Sequence, residues 1–293
     1  MTGRRRRKLP ASAFFTGCAR GQTGAQAAII SSVRAPLYQV DAFAARRFAG
    51  NPAAVLVLES YPEDAVMQAI AMENNLAETA FLVKDGADYR LRWFTPKLEV
   101  PLCGHATLAS AAVVLERLEP ARGQVVFHTQ SGALTVRRGG QGYVMDLPAR
   151  PSELCPEPQG LSGALGAAVT ETWGNVFNYM AVLESAAEVR ALAPDMAAVE
   201  RIDRPGIIVT APGDAGYDCV SRYFAPRKGI PEDPVTGAAH CMLAPYWAKR
   251  LNKTELRAFQ ASPRGGEVRC RLADGRVELA GACVFYLEGH VEI

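Results

Sequence analysis

The sequence has no run of about 18 consecutive uncharged apolar residues, the length that a membrane-spanning helix needs, so we predict no membrane partner. Its seven cysteines form no CxxC pair and its four histidines form no HxxxH pair. Zinc-type spacings are therefore missing, and we predict no metal site. An odd number of scattered cysteines is typical of reduced thiols, so we expect a cytoplasmic protein.

Acidic residues are missing from the first 36 positions, which hold seven basic groups. Subtracting those seven from the formal net charge of +2 leaves −5 for residues 37–293. A net negative charge on residues 37–293 disfavours binding to a phosphate backbone, so we predict no nucleic-acid partner. We interpret residues 1–36 as a basic, disordered extension. The other interpretations are a localisation signal, a nucleic-acid arm or an organellar transit peptide.

What is present is the composition of a globular protein: 293 residues, 49% hydrophobic and 21% charged, a length that favours two domains. Alternation predicts a strand over 37–43, and apolar runs predict strands over 53–58 and 80–83. Asp85-Gly86 predicts a hairpin turn. Strands, hairpins and helices mixed in this way predict an α+β fold rather than a doubly wound parallel sheet.

The chain repeats several of its own segments in the same order. Residues 57–60 recur at 182–185, and each copy predicts a helix begun by a capping box, Ser60 with Glu63 and Ser185 with Glu188. Residues 92–96 recur at 222–226. We therefore predict two similar domains, 37–149 and 150–293, with the last residues free to return to the first domain.

Each copy also has a small-residue segment that opens an apolar helix, 104–107 before 108–118 and 236–240 before 241–251. A helix that is apolar on most faces is buried, so we expect each one at the centre of a curved sheet. The first amides of a helix lack partners and carry the positive end of its dipole. Two such ends across a cleft would bind a small anionic substrate. The residues expected to bind it are Gly104, Ala106, Thr107, Thr236, Gly237 and Ala238. The alternative is that the glycines serve only sharp turns into buried helices.

Glu78 lies at the mouth of an apolar strand, and the corresponding strand of the second copy, 207–209, has no acid. Its neighbours Ala77, Ala80 and Phe81 would desolvate the carboxyl. Desolvation raises a carboxyl pKa, which suits a general base that must also return the proton as an acid. An exposed glutamate at a strand edge is the alternative.

His105 lies at one helix entrance and Asp233 near the other. The helix dipole disfavours a charged imidazole, so His105 could pass a proton or donate a hydrogen bond while neutral. Asp233 could orient a substrate amine or the imidazole. Alternatively, Asp233 is an N-cap and Pro234 a first-turn proline.

Cys103 stands beside the first helix entrance, where its thiol could have a lowered pKa. A symmetric two-thiol racemase would need a second cysteine near Thr236. Cys241 lies several residues into the following helix, which disfavours that mechanism.

Several motifs resemble those of the PhzF (phenazine biosynthesis-like) family, which is related in fold to diaminopimelate epimerase and proline racemase. The motifs are residues 41–43 with 50–52, 78–81, 94–96 with 99–100, 103–107 and 232–237, and the likeness covers 38–293. The resemblance implies two pseudo-symmetric domains, each a curved mixed sheet around a central helix, and a homodimer. It also implies that Glu78 is the catalytic acid/base and that His105 and Asp233 act beside it. Asn51 and Cys103 complete the expected substrate contacts.

The resemblance further implies a cofactor-free and metal-free isomerase. Such an enzyme moves a proton next to a carbonyl or carboxylate in a small anionic metabolite, as in the isomerisation of trans-2,3-dihydro-3-hydroxyanthranilate. Two departures concern the substrate: Ala238 stands where the family usually has serine, and Cys103 resembles the first thiol of the epimerases. Two further hypotheses stay open, an epimerase or racemase that uses Cys103 and a non-catalytic protein that binds a metabolite or a partner.

Overall fold

The computed structural model of the protein describes residues 33–140 and 142–293. Residues 1–32 of the predicted basic extension lie outside this part. The first strand begins at Arg34, so residues 34–36, which the sequence assigns to the extension, belong to the sheet.

Within the described residues, eighteen strands form one continuous sheet: β1 Arg34–Ala42, β2 Asn51–Leu58, β3 Glu78–Asp85, β4 Asp88–Phe94, β5 Glu99–Val100, β6 Gln124–Thr129, β7 Gly132–Gly139, β8 Gly142–Pro148, β9 Glu153–Leu154, β10 Glu171–Gly174, β11 Asn178–Val182, β12 Gly206–Pro212, β13 Cys219–Ala225, β14 Ile230–Glu232, β15 Glu255–Gln260, β16 Gly266–Ala273, β17 Arg276–Gly281 and β18 Cys283–Glu292. The same residues form six α-helices: α1 Asp64–Asn74, α2 Gly104–Val113, α3 Leu161–Leu165, α4 Ala186–Ala191, α5 Met196–Arg201 and α6 Gly237–Leu251. Helix α2 continues as a π-helical turn over Val114–Leu118, and a 3-10 turn over Pro226–Lys228 follows β13.

The two halves of the chain pair their strands in the same order. In the first half β1–β2 is antiparallel, β2–β3 parallel, β3–β4 antiparallel and β4–β6 parallel, and β6, β7 and β8 follow antiparallel. The second half repeats this order of antiparallel and parallel pairs in strands β10, β11, β12, β13, β15, β16 and β17. Parallel neighbours need a crossover connection, which helices supply in both halves. The fold is α+β, as predicted, and its two halves are pseudo-symmetric parts of one curved mixed sheet.

Helices α2 and α6 are the central helices of the two halves. All ten residues of α2 are buried, as are most of those of α6. Helix α2 packs against β1, β2 and β3, and α6 packs against β15, β16 and β17. A helix without a polar face is stable only when surrounded in this way. Among the described residues, no helix combines the length and apolar character that crossing a bilayer requires.

Two antiparallel strand pairs join the halves. Strand β8 pairs with β17, and β18 pairs with the whole of β1. The last strand of the chain therefore lies beside the first one that the structure describes. One buried apolar cluster also contains side chains of both central helices. The division of the chain at residue 149 stays a prediction.

One of the two predicted capping boxes is wrong and the other is confirmed. Helix α1 begins only after Glu63, without a side-chain cap, instead of directly after Ser60. The ring of Pro62 keeps Tyr61 out of the helical conformation, so the helix cannot begin directly after Ser60. Before α4, Ser185 Oγ accepts from Glu188 N, and the Glu188 carboxylate accepts from Ser185 N, both at 3.3 Å.

Candidate active site

The N-termini of the two central helices meet at a pair of glycines. A Cβ placed on Gly104 would lie 3.3 Å from Gly237 Cα, and one placed on Gly237 would lie 3.4 Å from Gly104 Cα. Backbones approach so closely only where no side chain intervenes. The unpartnered first amides of both helices, and the positive ends of their dipoles, therefore lie at one place.

Glu78 lies beside these helix ends, as the first residue of β3. Its Oε2 is 3.2 Å from His105 Nε2 in the first turn of α2, although the two atoms lack the geometry of a hydrogen bond. Glu78 is 9% exposed. Burial, reinforced by the negative charge of Asp233, raises the pKa of Glu78 to about 8. The carboxyl can therefore gain and lose a proton near neutral pH.

The imidazole of His105 is neutral, because burial lowers its pKa to about 3. Its Nδ1 lies 3.0 Å from Asn51 Nδ2. The other ring nitrogen, Nε2, faces Glu78 Oε2. The sequence predicts a neutral imidazole from the helix dipole, whereas burial is the main cause in the structure.

Hydrogen bonds connect the Asp233 carboxylate to strand β2 and to the N-cap residue of α6. Its Oδ1 accepts from Asn51 Nδ2 at 2.6 Å, and its Oδ2 accepts from Thr236 Oγ1 at 2.6 Å. Burial raises its pKa to about 6, against the lowering effect of these two hydrogen bonds. The alternative that Asp233 is an N-cap is wrong, because α6 begins at Gly237 with Thr236 in the capping position.

Gln260 completes this network and is not among the residues predicted from the sequence. The side chain is fully buried; its Oε1 accepts from Thr236 N at 2.8 Å, and its Nε2 donates to Asp233 O at 2.6 Å. It ends β15 on the inward face that also carries Leu256 and Ala258. A polar residue on the apolar face of an alternating strand needs buried partners, and that pattern could have revealed it.

Three of the residues predicted to bind substrate instead use their side chains within the protein. Thr107 Oγ1 donates to Cys103 O at 2.6 Å, and the Thr236 hydroxyl is bound to Asp233. The amide nitrogen of Asn51 contacts Val235 O at 3.0 Å as well as Asp233 and the imidazole. These side chains hold the site together, and their donor groups are already used.

The remaining predicted contacts are small residues of the two first turns. Gly104, Ala106 and Gly237 are buried, and Ala238 is partly exposed. None of them has a polar side chain, so each can offer a ligand only its backbone. Backbone amides at helix N-termini bind anionic groups. This part of the site therefore suits a carboxylate or an enolate oxygen.

The Cys103 thiol lies beside the other reactive groups, with Sγ 3.5 Å from His105 Nδ1. Burial and the Glu78 charge raise the pKa of Cys103, so the interpretation of a lowered pKa is wrong. Glu78, Cys103 and His105 offer donor atoms within 4.8 Å of one another, a spacing that could hold a metal ion. A bound cation would occupy the carboxyl and prevent it from accepting a proton.

In the second half, the position equivalent to Glu78 is Gly206. Each of the two residues begins its strand, and the next residue pairs with the phenylalanine of the repeated segment, Phe94 or Phe224. A Cβ placed on Gly206 would lie 2.1 Å from Tyr223 Oη. The space that a second acid would need is filled by this hydroxyl group.

Known proteins resemble this chain over most of its length. A family model described as "Phenazine biosynthesis-like protein" matches residues 40–289. The chain belongs to the PhzF family. An uncharacterized isomerase of Pseudomonas aeruginosa is 48% identical over 257 residues, which cover 88% of this chain and 98% of that protein. A PhzF family crystal structure from Enterococcus faecalis is 45% identical with a TM-score of 0.86, covering 89% of this chain and 100% of that one.

A more distant likeness concerns the fold alone. A probable proline racemase from Agrobacterium radiobacter superposes with a TM-score of 0.59 at 10% identity, over 88% of this chain and 92% of that one. The resemblance to the PhzF family and the predicted fold class are confirmed, and the chain is an enzyme of an isomerase family.

Proposed function

We propose that the protein is a PhzF-type isomerase that moves a proton next to a carbonyl or carboxylate in a small anionic metabolite, without a metal or a cofactor. The observation that carries the proposal is the Glu78 carboxyl, which is buried 3.2 Å from His105 Nε2 and has a pKa of about 8. An acid with this pKa is present in both protonation states near neutral pH, so one group can take and return the proton.

The reaction would proceed in two steps. First, the Glu78 carboxylate removes a proton from carbon, and the electron pair of the C–H bond moves towards the carbonyl oxygen. The first amides of α2 and α6 stabilise the charge on that oxygen. Second, protonated Glu78 returns the proton to another atom of the conjugated system. A double bond has then shifted, and no atom has been gained or lost.

Deuterium exchange tests the role of Glu78. Incubation of trans-2,3-dihydro-3-hydroxyanthranilate, and of a panel of small unsaturated carboxylates, in D2O should introduce deuterium that mass spectrometry detects. Glu78→Gln keeps the shape of the side chain but removes the base, so exchange should fall at least about 100-fold. Glu73→Gln, an exposed position on α1, is the matched control and should leave exchange unchanged. Undiminished exchange in Glu78→Gln would show that Glu78 is not the base.

The same assay tests independence from metals. A chelator should leave the exchange rate unchanged, because the proposed steps use only Glu78 and backbone amides. Loss of exchange on chelation, restored by a divalent cation, would instead make the three clustered donors a metal site.

One observation favours the epimerase hypothesis, namely the Cys103 thiol 3.5 Å from His105 Nδ1. Cys103→Ala separates the two mechanisms, since it should abolish a thiol-dependent reaction and spare one that depends on Glu78. A ligand that raises the melting temperature but is never converted would support the hypothesis of a binding protein.

A further inference from the structure

Segment 43–50, which connects β1 to β2, has a strained backbone directly before an active-site residue. Phe43 has a φ of 56° and Phe48 a φ of 68°, values in the left-handed region that bulky side chains rarely adopt. Such conformations persist only where the surrounding structure holds them. The residue after this segment is Asn51, whose buried amide contacts the imidazole and the carboxylate of the site. The position of Asn51 therefore depends on what holds segment 43–50.

Arg264, between β15 and β16, holds this segment from the other half of the chain. Its Nε donates to Gly50 O at 2.9 Å. Its Nη2 donates to Ala49 O at 3.0 Å and to Asp41 Oδ1 at 2.7 Å. One planar guanidinium group thus binds the two consecutive carbonyl groups that precede Asn51, together with a carboxylate of β1.

The Asp41 carboxylate joins this arginine to the strained backbone. Asp41 is 2% exposed, and its Oδ2 accepts from Phe48 N at 2.9 Å. In the part of the chain that the structure describes, its one ion pair is with Arg264. A buried charge is stable only when it is paired and hydrogen-bonded. The same carboxylate therefore fixes both the guanidinium group and a left-handed residue of the segment.

The backbones of the two halves also touch at this place. Gly50 N donates to Gly265 O at 2.7 Å, and a Cβ placed on Gly266 would lie 2.9 Å from Phe43 O. The Arg264 side chain remains 31% exposed and lines an open cavity of about 530 Å³. A small cation can therefore reach the place of the guanidinium group from solvent.

We propose that Arg264 is a positioning residue of the active site, on which it acts through segment 43–50 and Asn51. By holding the two carbonyl groups before Asn51, it directs the amide nitrogen towards His105 Nδ1 and Asp233 Oδ1, 3.0 and 2.6 Å away. The second half of the chain thereby sets the geometry of a residue of the first half. This inference rests on the proposed function, because it assumes that proton transfer occurs beside these groups.

A double-mutant cycle on the intact protein tests whether Arg264 acts through Asn51. Arg264→Ala should lower kcat for deuterium exchange at least about tenfold, because small displacements of catalytic groups are costly, and should leave KM within about twofold. In an Asn51→Ala background the same substitution should cost less than about twofold, because the path through Asn51 is already lost. An arginine that only stabilises the fold would cost the same in both backgrounds.

The matched control is Arg269→Ala. Arg269 lines the same cavity, but its Nε donates to Glu267 of its own half at 2.9 Å. This variant should leave exchange unchanged. Arg264→Lys keeps a positive partner for Asp41 and should fold. It should still lower kcat at least about threefold, because an ammonium group lacks the planar fork that spans the three acceptors.

Chemical rescue separates positioning from a general loss of structure. Guanidinium ions at millimolar concentration should restore the exchange rate of Arg264→Ala several-fold, because the open cavity admits them to the vacated place. Urea, which has a similar shape and no charge, should not restore the rate. Guanidinium should leave the unchanged protein and Arg269→Ala unaffected.

A readout that does not need activity is the ¹⁵N resonance of His105 Nδ1, which reports the contact with Asn51 and is assigned with a His105→Gln variant. Arg264→Ala should shift this resonance, guanidinium should return it, and Arg269→Ala should leave it in place. Equal losses of kcat in both backgrounds, or an unshifted resonance in both Arg264 variants, would overturn the inference. If the unchanged protein exchanges no deuterium while Arg264→Ala still shifts the resonance, only the proposed isomerase function fails.

Discussion

Glu78 owes its chemistry to its surroundings. A glutamate in water is almost fully ionised at neutral pH, whereas burial and the nearby Asp233 raise the pKa of Glu78 to about 8. Glu78 is predictable from the sequence because it is a lone acid among apolar neighbours. The size of its pKa shift is not predictable, because it depends on how the two halves close around the carboxyl. The same holds for Gln260, whose buried partners come from a segment about 25 residues away.

The pH dependence of proton transfer follows from that pKa. Only ionised Glu78 can accept a proton, so kcat/KM for exchange should rise about tenfold per pH unit below pH 8 and become constant above it. Asp233→Asn removes a charge that raises the pKa of Glu78, so the rise should move to lower pH. Exchange rates from pH 6.5 to 9.5 measure both effects. A flat profile would contradict the assignment.

The raised pKa of Glu78 should also lower the stability of the protein. Between the ordinary value of 4.5 and about 8, Glu78 is ionised in the unfolded state and protonated in the folded state. The unfolded state then binds fewer protons, so the free energy of unfolding falls as pH rises through this interval. Glu78→Gln lacks this titration and should be more stable by a margin that grows between pH 5 and pH 8, to on the order of 4 kcal/mol.

Thermal denaturation at pH 5, 6.5 and 8 measures that margin. The neutral, buried His105 loses stability on acidification through its ordinary pKa, but it does so in both proteins and cancels in the difference. A melting-temperature difference between Glu78→Gln and the unchanged protein that stays constant with pH would rule out the pKa shift.

At the scale of elements, the contact between α2 and α6 limits which residues can replace Gly104. A Cβ at this position must fit 3.3 Å from both Gly237 Cα and Met145 Cε, so the helix ends have to separate slightly. We expect Gly104→Ala to lower kcat/KM at least about tenfold, because small displacements of catalytic groups are costly. Alanine's higher helix propensity should keep the change in stability within about 1 kcal/mol. Deuterium exchange and circular dichroism measure the two quantities.

The control for that substitution is Gly163→Ala in α3, where a Cβ would meet nothing within 4 Å. It should leave the exchange rate unchanged and stabilise the protein by about 0.5 kcal/mol. Unchanged activity in Gly104→Ala would mean that the close approach of the helices is not needed for catalysis.

The repeated sequence segments predict the same helices and strands in both halves where the local sequence constraints are the same. The two halves indeed share one order of strand pairings, in which a helix connects the strands of each parallel pair. The start of α1 does not follow, because Pro62, which has no counterpart after Ser185, keeps Tyr61 out of the helix. Arg92 and Arg222 lie in the repeated segments and form ion pairs with Glu99 and Glu232. The sequence does not identify these pairs, because the glutamates reach the arginines only when β5 pairs with β4 and β14 pairs with β13.

For the whole molecule, two strand pairs and a shared core predict that the halves unfold together. Trp93 lies in the first half, and Trp173 and Trp247 lie in the second. In Trp93→Phe, fluorescence reports the second half; in the double variant Trp173→Phe with Trp247→Phe, it reports the first. In each variant, the fluorescence midpoint in urea should equal the midpoint from far-UV circular dichroism.

Two separate transitions in either variant would contradict that expectation and would support independent folding of the predicted domains, 37–149 and 150–293. Light scattering on the same samples tests the homodimer that the family resemblance implies.

Gly206 has a stereochemical consequence. Because the Tyr223 hydroxyl fills the space beside Gly206, no second glutamate can occupy the position equivalent to Glu78, and the carboxyl of Asp233 accepts hydrogen bonds from Asn51 and Thr236. A proton carried by a single group leaves and rejoins the same face of a planar intermediate, whereas inversion at a carbon atom requires groups on both faces. The enzyme should therefore deliver hydrogen suprafacially, and deuterium taken from solvent should occupy one configuration only.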